Sequence, residues 1–261
     1  MLKRSGPIEN IVIDGGYTQI LRTIGVIGDS LSSGEHVSYT KDKGMGWHDY
    51  CDVSWGQFMA RKTGTKVYNF SKGGLMAKTF FTDYLELVDK KVFSKEKLCQ
   101  AYIIALGVND LNRLNEYELG FGSFSDIDFN NFNNNKDSFI GWYTKIIQTI
   151  KYYQPKARIF LVTTPNELYN HDINRKNLRD FIIKISECFE FTYYLNLYDY
   201  LIYDDEYLNN YMMDYHLTSM GYKDSADIIA TYIDYIIKNN PRDFLQLEFI
   251  DKDVYNEKYR W

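Results

Sequence analysis

Ser30 is the residue in this sequence whose chemistry is the easiest to argue. It stands in the run Ile27-Gly28-Asp29-Ser30-Leu31, and the apolar residues 24–27 that lead into this run predict a buried strand. A serine at the end of a strand can present its hydroxyl at the carboxyl edge of a sheet, where open α/β sheets carry their chemistry. Gly-Asp-Ser is also ordinary turn chemistry, and a serine hydroxyl is a poor nucleophile without a neighbouring base. Ser30 is therefore a candidate nucleophile that needs partners from elsewhere in the chain.

The candidate bases are the four histidines, His36, His48, His171 and His216. Taken singly, each of them is more typical of a surface or hydrogen-bonded histidine than of a catalytic one. His216 differs from the others because it directly precedes residues 218–238, which predict the last helix of the chain. It is therefore the histidine most worth pairing with Ser30.

Two further segments could supply hydrogen-bond donors to an oxyanion, which acyl transfer requires. In Asn69-Phe70-Ser71-Lys72-Gly73-Gly74 a short strand ends in a glycine turn, and glycine lets a backbone N–H approach a substrate closely. In Gly107-Val108-Asn109-Asp110 a polar pair follows the apolar run 101–106. Asn and Asp also favour turns and helix caps, so neither segment is specific alone. Each follows a predicted strand, so both can meet Ser30 at one edge of the sheet.

Together, in this order, residues 27–31, 69–74, 107–110 and 216–218 resemble the blocks of the SGNH (GDSL-type) hydrolase family. The resemblance extends from about residue 23 to about residue 237. It implies a serine esterase or acylhydrolase with Ser30 as nucleophile and His216 as base. It also implies an oxyanion hole made by the N–H groups of Ser30 and Gly74 and the side chain of Asn109. It implies no metal and no organic cofactor.

The third member of a catalytic triad departs from the family pattern, which has an aspartate three residues before the histidine. Met213 stands at that position here, and the aspartate, Asp214, stands two residues before His216. Three alternatives follow. Asp214 acts through a locally different turn; a backbone carbonyl orients His216 in a Ser-His dyad; or another acid, such as Asp204 or Asp205, completes the site.

Strand and helix patterns alternate along the chain and supply the elements that must position these residues. Apolar runs predict strands at residues 23–29, 66–70, 101–106, 157–163 and 192–197. Periodicity and cap residues predict helices at residues 54–63, 78–88, 137–153, 175–189 and 218–238. This order predicts one three-layer α/β/α domain over residues 1–261, with a mostly parallel five-stranded sheet of the flavodoxin-like kind.

Four segments lie outside this alternation. Residues 7–22 predict a small N-terminal ribbon around Asp14-Gly15-Gly16. Residues 31–52 predict a loop over the sheet edge, and residues 111–136 predict a long loop. Residues 241–261 form a polar and aromatic tail to which the sequence assigns no role.

Composition narrows the function classes. The net charge of −5 and the pI of about 5.5 argue against a nucleic-acid partner, because such binders carry a basic footprint. The three cysteines show no paired spacing, which favours a reducing compartment. No apolar stretch approaches the roughly 20 residues of a membrane span, so we predict a cytoplasmic protein. The aromatic share of 17%, with 24 tyrosines, reflects either biased composition or an aromatic-lined cleft for sugars.

The leading hypothesis is a serine esterase that cleaves a small acyl ester or an acylated, for example acetylated, carbohydrate. Two alternatives come from other classes. One is a catalytically inactive relative that binds a glycan or a protein partner. The other is a flavodoxin-like binding protein in which residues 30–34 hold a flavin phosphate; Asn109 and His216 would then have no role.

Overall fold

The computed structural model describes residues 4–84, 92–114, 118–167 and 173–247. Its strands are β1 (Thr23–Gly28), β2 (Glu35–Thr40), β3 (Gly44–Asp49), β4 (Lys66–Asn69), β5 (Ala101–Ala105), β6 (Arg158–Val162), β7 (Asn166–Glu167), β8 (Thr192–Leu195), β9 (Ile202–Tyr203), β10 (Met212–Met213) and β11 (His216–Leu217). Its helices are α1 (Ser30–Ser33), α2 (Trp55–Thr63), α3 (Ala77–Thr79), α4 (Val108–Asn112), α5 (Phe139–Tyr153), α6 (Ile173–Ser186), α7 (Leu197–Tyr200), α8 (Asp205–Tyr211) and α9 (Ser219–Asn239).

A five-stranded sheet in the order β4-β1-β5-β6-β8 forms the centre of the molecule, and all of its strand pairs are parallel. The register sets Ile24 of β1 between Val67 of β4 and Ala101 of β5. The carboxyl ends of β1, β4 and β5 therefore meet at one edge, as the apolar runs in the sequence predict. This edge carries Ser30, Gly74 and Asn109.

Side chains of the central strands alternate between two hydrophobic cores, one on each face of the sheet. Ile24 and Val26 face a core completed by α2 and α9, whereas Ile27 faces a core completed by α5 and α6. This arrangement is the three-layer α/β/α fold that the sequence predicts.

Local signals in the sequence set several helix boundaries. The hydroxyl of Ser54 caps α2 by accepting from the N–H of Gln57, and Gly64 ends the helix with a φ of 71°. Ser138 caps α5 in the same way. The predicted bounds of α2, α5 and α9 are accurate to within about two residues.

The expected N-terminal ribbon is not formed. Residues 7–22 instead contain two 3₁₀ turns, Gly6–Ile8 and Gly16–Ile20, which pack against α9. Gly15 and Gly16 have positive φ, and the N–H of Tyr17 donates to the carboxylate of Asp234 on α9. Contacts with the helix, rather than strand pairing, therefore order this segment.

The expected loop at residues 31–52 contains α1 and an antiparallel hairpin of β2 and β3. The helix expected at residues 78–88 is shorter than expected within the described residues: α3 is followed by a π turn, Phe80–Tyr84. Residues 85–88 and the tail beyond residue 247 lie outside the described residues, as does His171. No helix in the described part of the chain is long and apolar enough to cross a membrane.

Candidate active site

Ser30 begins α1 directly beyond the carboxyl end of β1. Asp29 caps this helix, because its carboxylate accepts a hydrogen bond of 3.0 Å from the backbone N–H of Leu31. The hydroxyl of Tyr222 on α9 donates to the carbonyl oxygens of Ser30 and Glu35, at 2.9 and 3.1 Å. The turn that carries Ser30 is therefore fixed from both sides, and Ser30 itself is half-buried.

Gly74 lies in the turn that follows β4 and has a φ of +73°. The N–H of Lys72 holds this turn against β1 by donating to the carbonyl oxygen of Gly28 at 3.2 Å. A Cβ at position 74 would meet only the guanidinium of Arg113, at 3.9 Å. The backbone conformation, rather than a lack of space, therefore calls for glycine at this position.

Asn109 lies on α4, directly after β5, and contacts the turn that carries Gly74. Its Nδ2 donates to the carbonyl oxygen of Leu75 at 3.3 Å. The neighbouring carboxylate of Asp110 accepts from the N–H of Ala77 at 2.9 Å. These two bonds tie the ends of β4 and β5 together, so the structure brings Gly74 and Asn109 to the edge where Ser30 lies.

His216 lies in a hairpin formed by β10 and β11. Met213 is its cross-strand partner, and Asp214 and Tyr215 form the turn between them. Both turn residues have positive φ, 47° and 66°, which is the conformation of a type I′ turn. In this turn the carbonyl oxygen of Asp214 lies 3.1 Å from Nδ1 of His216.

The contact between Asp214 and the imidazole therefore involves the backbone carbonyl, not the carboxylate that a triad would use. Among the described residues, no hydrogen bond or ion pair joins the Asp214 carboxylate to His216. Asp204 has a different role, because it caps α8 by accepting from the N–H of Tyr207 at 2.9 Å. Asp205 lies in the first turn of the same helix. Of the groups that the three alternatives name, the backbone carbonyl of Asp214 is the one that contacts the imidazole, and among the described residues the acid side chain that contacts it is Glu35.

The other ring nitrogen of His216, Nε2, contacts Glu35 rather than Ser30. Oε2 of Glu35 lies 2.9 Å from Nε2, and both side chains are largely shielded from solvent. In the part of the chain that the structure describes, Ser30 Oγ makes no hydrogen bond to His216. A Cβ built on Gly73 would collide with Oε1 of Glu35, so the carboxylate also lies against the turn that carries Gly74.

The surroundings of His216 favour its protonated form. Burial disfavours the charged ring, but the hydrogen bonds to Glu35 and to the Asp214 carbonyl, with the charges of Glu35 and Asp29, outweigh it. The pKa of His216 is therefore raised above its ordinary value.

Two carboxyl groups lie buried beneath the site. Burial raises the pKa of Asp29 to about 6, although the N–H of Leu31 and the charge of His216 act in the opposite direction. Burial raises the pKa of Asp110 to about 7, although the N–H of Ala77 stabilises the carboxylate. Both groups therefore hold a proton over part of the range between pH 4 and 7.

An exposed aromatic ring lies next to His216. Trp47 on β3 has its ring centroid 4.1 Å from that of His216, and the two planes are inclined by 41°. Trp47 nevertheless leaves 41% of its surface exposed. The hairpin of β2 and β3 thus supplies both a carboxylate and an aromatic face to the site.

A small apolar cavity of about 70 Å³ lies at the same edge of the sheet, and none of Ser30, Asn109 and His216 lines it. Leu31, Val108 and Leu217 line it, and they are the chain neighbours of Ser30, Asn109 and His216. The rest of the lining includes apolar residues of β6, α7 and α9, and polar residues such as Ser32, Thr163 and Ser225. Among the described residues, Asp29 is the one lining residue with a carboxyl group.

Sequence reasoning singles out neither Glu35 nor Tyr222, and from the sequence Trp47 is more typical of a core or rim residue than of a ligand platform. Glu35 and Trp47 lie on the hairpin, in the segment that the sequence predicts as a loop. A signal was present, because Val37 and Tyr39 alternate with polar residues before the turn-forming run Lys41-Asp42-Lys43-Gly44. Tyr222 belongs to a predicted helix, but nothing in its spacing indicates that its hydroxyl reaches the Ser30 turn.

Comparison with protein families gives one match of wide extent. The model of the GDSL-like Lipase/Acylhydrolase family matches residues 26–223, which include Ser30, Gly74, Asn109 and His216. A search of curated proteins by sequence gives no match.

Several solved structures share the fold at low sequence identity. A family two carbohydrate esterase from Clostridium thermocellum, in complex with cellohexaose, aligns over 85% of this chain with a TM-score of 0.54 and 15% identity. This chain spans 65% of the length of that protein. A carbohydrate esterase family 2 enzyme with a carbohydrate binding domain, from Corynascus thermopiles (Myceliophthora fergusii), aligns over 83% of this chain and 67% of its own, with a TM-score of 0.55 and 17% identity.

The psychrotrophic esterase EstA from Pseudoalteromonas sp. aligns over 83% of this chain and 99% of its own, with a TM-score of 0.51 and 14% identity. These likenesses confirm the three-layer fold. The family match covers more than half of the sequence and all four of its motif segments. The chain therefore belongs to the GDSL-like lipase/acylhydrolase family.

Proposed function

We propose that this protein is a serine esterase that cleaves its substrate through an acyl-enzyme on Ser30. One observation above all supports this proposal. An imidazole whose Nδ1 is held by a backbone carbonyl at 3.1 Å lies in a hairpin packed against α1, the helix that Ser30 begins. Nucleophilic catalysis by serine needs such a base, and the base needs a group that orients it.

In the proposed reaction, Ser30 Oγ attacks the ester carbonyl carbon while Nε2 of His216 takes the hydroxyl proton. The tetrahedral intermediate collapses to an acyl-enzyme, and His216 gives the proton to the leaving alcohol. Water then attacks the acyl-enzyme with His216 again as base, which releases the acid and restores Ser30. The carbonyl of Asp214 accepts the Nδ1–H bond throughout and fixes the tautomer with Nε2 as the base.

The oxyanion of the intermediate would bind three donors: the backbone N–H groups of Ser30 and Gly74 and the Nδ2 of Asn109. Donors of this kind stabilise charge that develops only in the transition state, and removing one costs about 10²–10³ in kcat. The bond from Asn109 Nδ2 to Leu75 occupies one of its two N–H groups, which leaves the second for the substrate.

As the substrate we propose a carbohydrate that carries a short acyl ester such as acetate. Trp47 offers an exposed aromatic face next to His216, and sugars pack well on such faces. The cavity of about 70 Å³ is smaller than the apolar cavity of about 150 Å³ that accepts benzene in another protein, and it suits an acyl group of a few carbons. The fold likeness to two carbohydrate esterases is consistent with this choice.

Hydrolysis of p-nitrophenyl acetate by the wild type and by Ser30→Ala tests the proposal. We expect Ser30→Ala to lower kcat/KM at least 10³-fold, because the nucleophile is lost. Ser125→Ala, which changes an exposed serine in the loop before α5, should leave the rate unchanged. Butyrate and octanoate esters extend the series, and we expect the rate to fall with chain length.

Equal rates for the wild type and Ser30→Ala would refute the mechanism. A wild type inactive on every ester but able to bind an acetylated oligosaccharide would instead support the catalytically inactive relative.

A further inference from the structure

Glu35 places a carboxylate on the nitrogen of His216 that ester hydrolysis needs. Oε2 of Glu35 lies 2.9 Å from Nε2, and this nitrogen must accept the proton of Ser30 in the proposed reaction. Ser30 Oγ has no hydrogen bond to Nε2 among the described residues. In this structure the base is therefore occupied by an acid side chain of the same chain.

The two contacts of the ring define its protonation state. Nδ1 faces the carbonyl oxygen of Asp214 and Nε2 faces the carboxylate of Glu35. Both partners accept hydrogen bonds when Glu35 is ionised, so both ring nitrogens must carry hydrogen to satisfy them. A ring with two N–H groups is an imidazolium, which has no lone pair with which to take the proton of Ser30.

Glu35 is built into this position by the fold. Gly34, with a φ of 86°, ends α1 and turns the chain into β2, and the hydroxyl of Tyr222 holds the Glu35 carbonyl at 3.1 Å. The Glu35 carboxylate is thereby directed between His216 and the Gly73 backbone. The titratable groups on the elements packed around His216 are Asp29, Glu35, His36, Asp49, Asp214 and Tyr222. Of these, Glu35 is the one that contacts Nε2.

We propose that Glu35 is a gating residue, whose carboxylate holds His216 in its inactive, protonated form until the substrate ester displaces it. The inference rests on the function proposed above. It adds a residue that the family motifs do not contain.

The place of the carboxylate explains how a substrate would open the gate. Glu35 lies against Gly73, next to the turn whose Gly74 N–H would bind the ester oxygen. An ester carbonyl that enters this space must move the carboxylate away. The proton on Nε2 then passes to solvent, because the anion that stabilised it is gone, and the freed lone pair can face Ser30. The apparent affinity for substrate is reduced by the fraction of molecules that remain closed.

The first test is a pH titration of the imidazole by NMR, which needs no catalytic activity. The chain has four histidines, so the His216 signal can be assigned by comparison with His216→Gln. We expect Glu35→Gln to lower the apparent pKa of His216 by about one pH unit, because an opposite charge at this distance is lost. Asp42→Asn removes the same charge from the exposed turn of the same hairpin and should leave the titration unchanged.

The second test is the pH dependence of kcat/KM for p-nitrophenyl acetate, whose acid limb reports the base in the free enzyme. We expect the limb of Glu35→Gln to move to lower pH by about one unit. At pH values below the limb, kcat/KM of the variant should be about tenfold higher than that of the wild type. At pH values above the limb, it should be about two- to threefold higher. The pH profile of Glu35→Ala should match that of Glu35→Gln, and the profile of Asp42→Asn should match that of the wild type.

The outcomes separate the gate from the function on which it rests. If Ser30→Ala abolishes hydrolysis but Glu35→Gln changes neither the limb nor the titration of His216, the gate is refuted and the esterase remains. If folded Glu35→Gln, checked by circular dichroism and thermal melting, loses activity at every pH, Glu35 assists the reaction and the gate is refuted too. If Ser30→Ala stays active, the esterase mechanism itself fails, whatever Glu35 does.

Discussion

The turn of Asp214 and Tyr215 decides which atom of the chain faces His216. A two-residue hairpin makes the residue at the family's aspartate position, Met213, the cross-strand partner of the histidine. Asp214 has a φ of 47°, and in this turn its carbonyl oxygen lies 3.1 Å from Nδ1. In the proposed mechanism the backbone supplies the acceptor that orients the imidazole.

Two substitutions at position 214 separate the backbone from the side chain. Asp214→Asn should keep kcat/KM within about threefold, because asparagine adopts positive φ readily and keeps the turn. Asp214→Val should lower kcat/KM about tenfold or more, because a β-branched residue strains this turn and a misplacement that costs about 1.4 kcal/mol is tenfold in rate. Rates on p-nitrophenyl acetate measure both. An equal, large loss in the two variants would show that the carboxylate orients His216.

At the scale of elements, the sequence predicts the strands and helix boundaries that depend on residues close together in the chain. Residues 24–27 and 101–106 are continuous apolar runs, which are typical of strands in a sheet that is covered on both faces. Ser54 and Gly64 mark a helix because a cap hydroxyl and a positive φ act over a few residues. These local signals are enough to place the site at the carboxyl ends of the strands, and Ser30, Gly74 and Asn109 lie there.

The hairpin of β2 and β3 could not be predicted as firmly, because its strands are half polar and contain Gly44 and Gly46. What orders it is pairing between the strands and packing against α1 and β11, both of which are tertiary contacts. The contact of Glu35 with His216 is also tertiary, so the sequence does not indicate it. The positive φ of two non-glycine residues, Asp214 and Tyr215, likewise has no clear sequence signal.

The hairpin also makes a prediction about substrate binding. Trp47→Ala should raise KM for an acetylated cello-oligosaccharide about two- to tenfold, because an aromatic contact contributes about 0.5–1.5 kcal/mol. KM for p-nitrophenyl acetate, which has no sugar, should change less. Tyr152→Ala removes an aromatic ring with 70% exposure at the far end of α5 and should leave both KM values unchanged. An equal rise in KM for the two esters would mean that Trp47 positions His216 rather than binds sugar.

At the scale of the whole molecule, the site lowers the stability of the fold as the pH rises. Asp29 and Asp110 are buried at the carboxyl edge of the sheet, and burial raises their pKa values to about 6 and about 7. In the unfolded chain both groups ionise near pH 4. Between these values the folded state binds more protons than the unfolded state, so the free energy of unfolding falls as the pH increases. One oxygen of Asp110, Oδ2, is buried without a hydrogen-bond partner among the described residues, which adds to the cost of its ionisation.

Asp110→Asn isolates this contribution. The amide can still accept from the N–H of Ala77 through its oxygen, but it does not ionise, so the variant loses the pH dependence that Asp110 supplies. We expect the Tm of the variant minus that of the wild type to increase between pH 5 and pH 8. A contribution of roughly 2 kcal/mol would correspond to about 4–8 °C. Asp42→Asn, at an exposed position of the hairpin turn, should give a difference that does not vary with pH. A constant difference for Asp110→Asn as well would show that the Asp110 carboxyl ionises alike in the folded and unfolded chain, and that the buried edge beneath Ser30 is open to water.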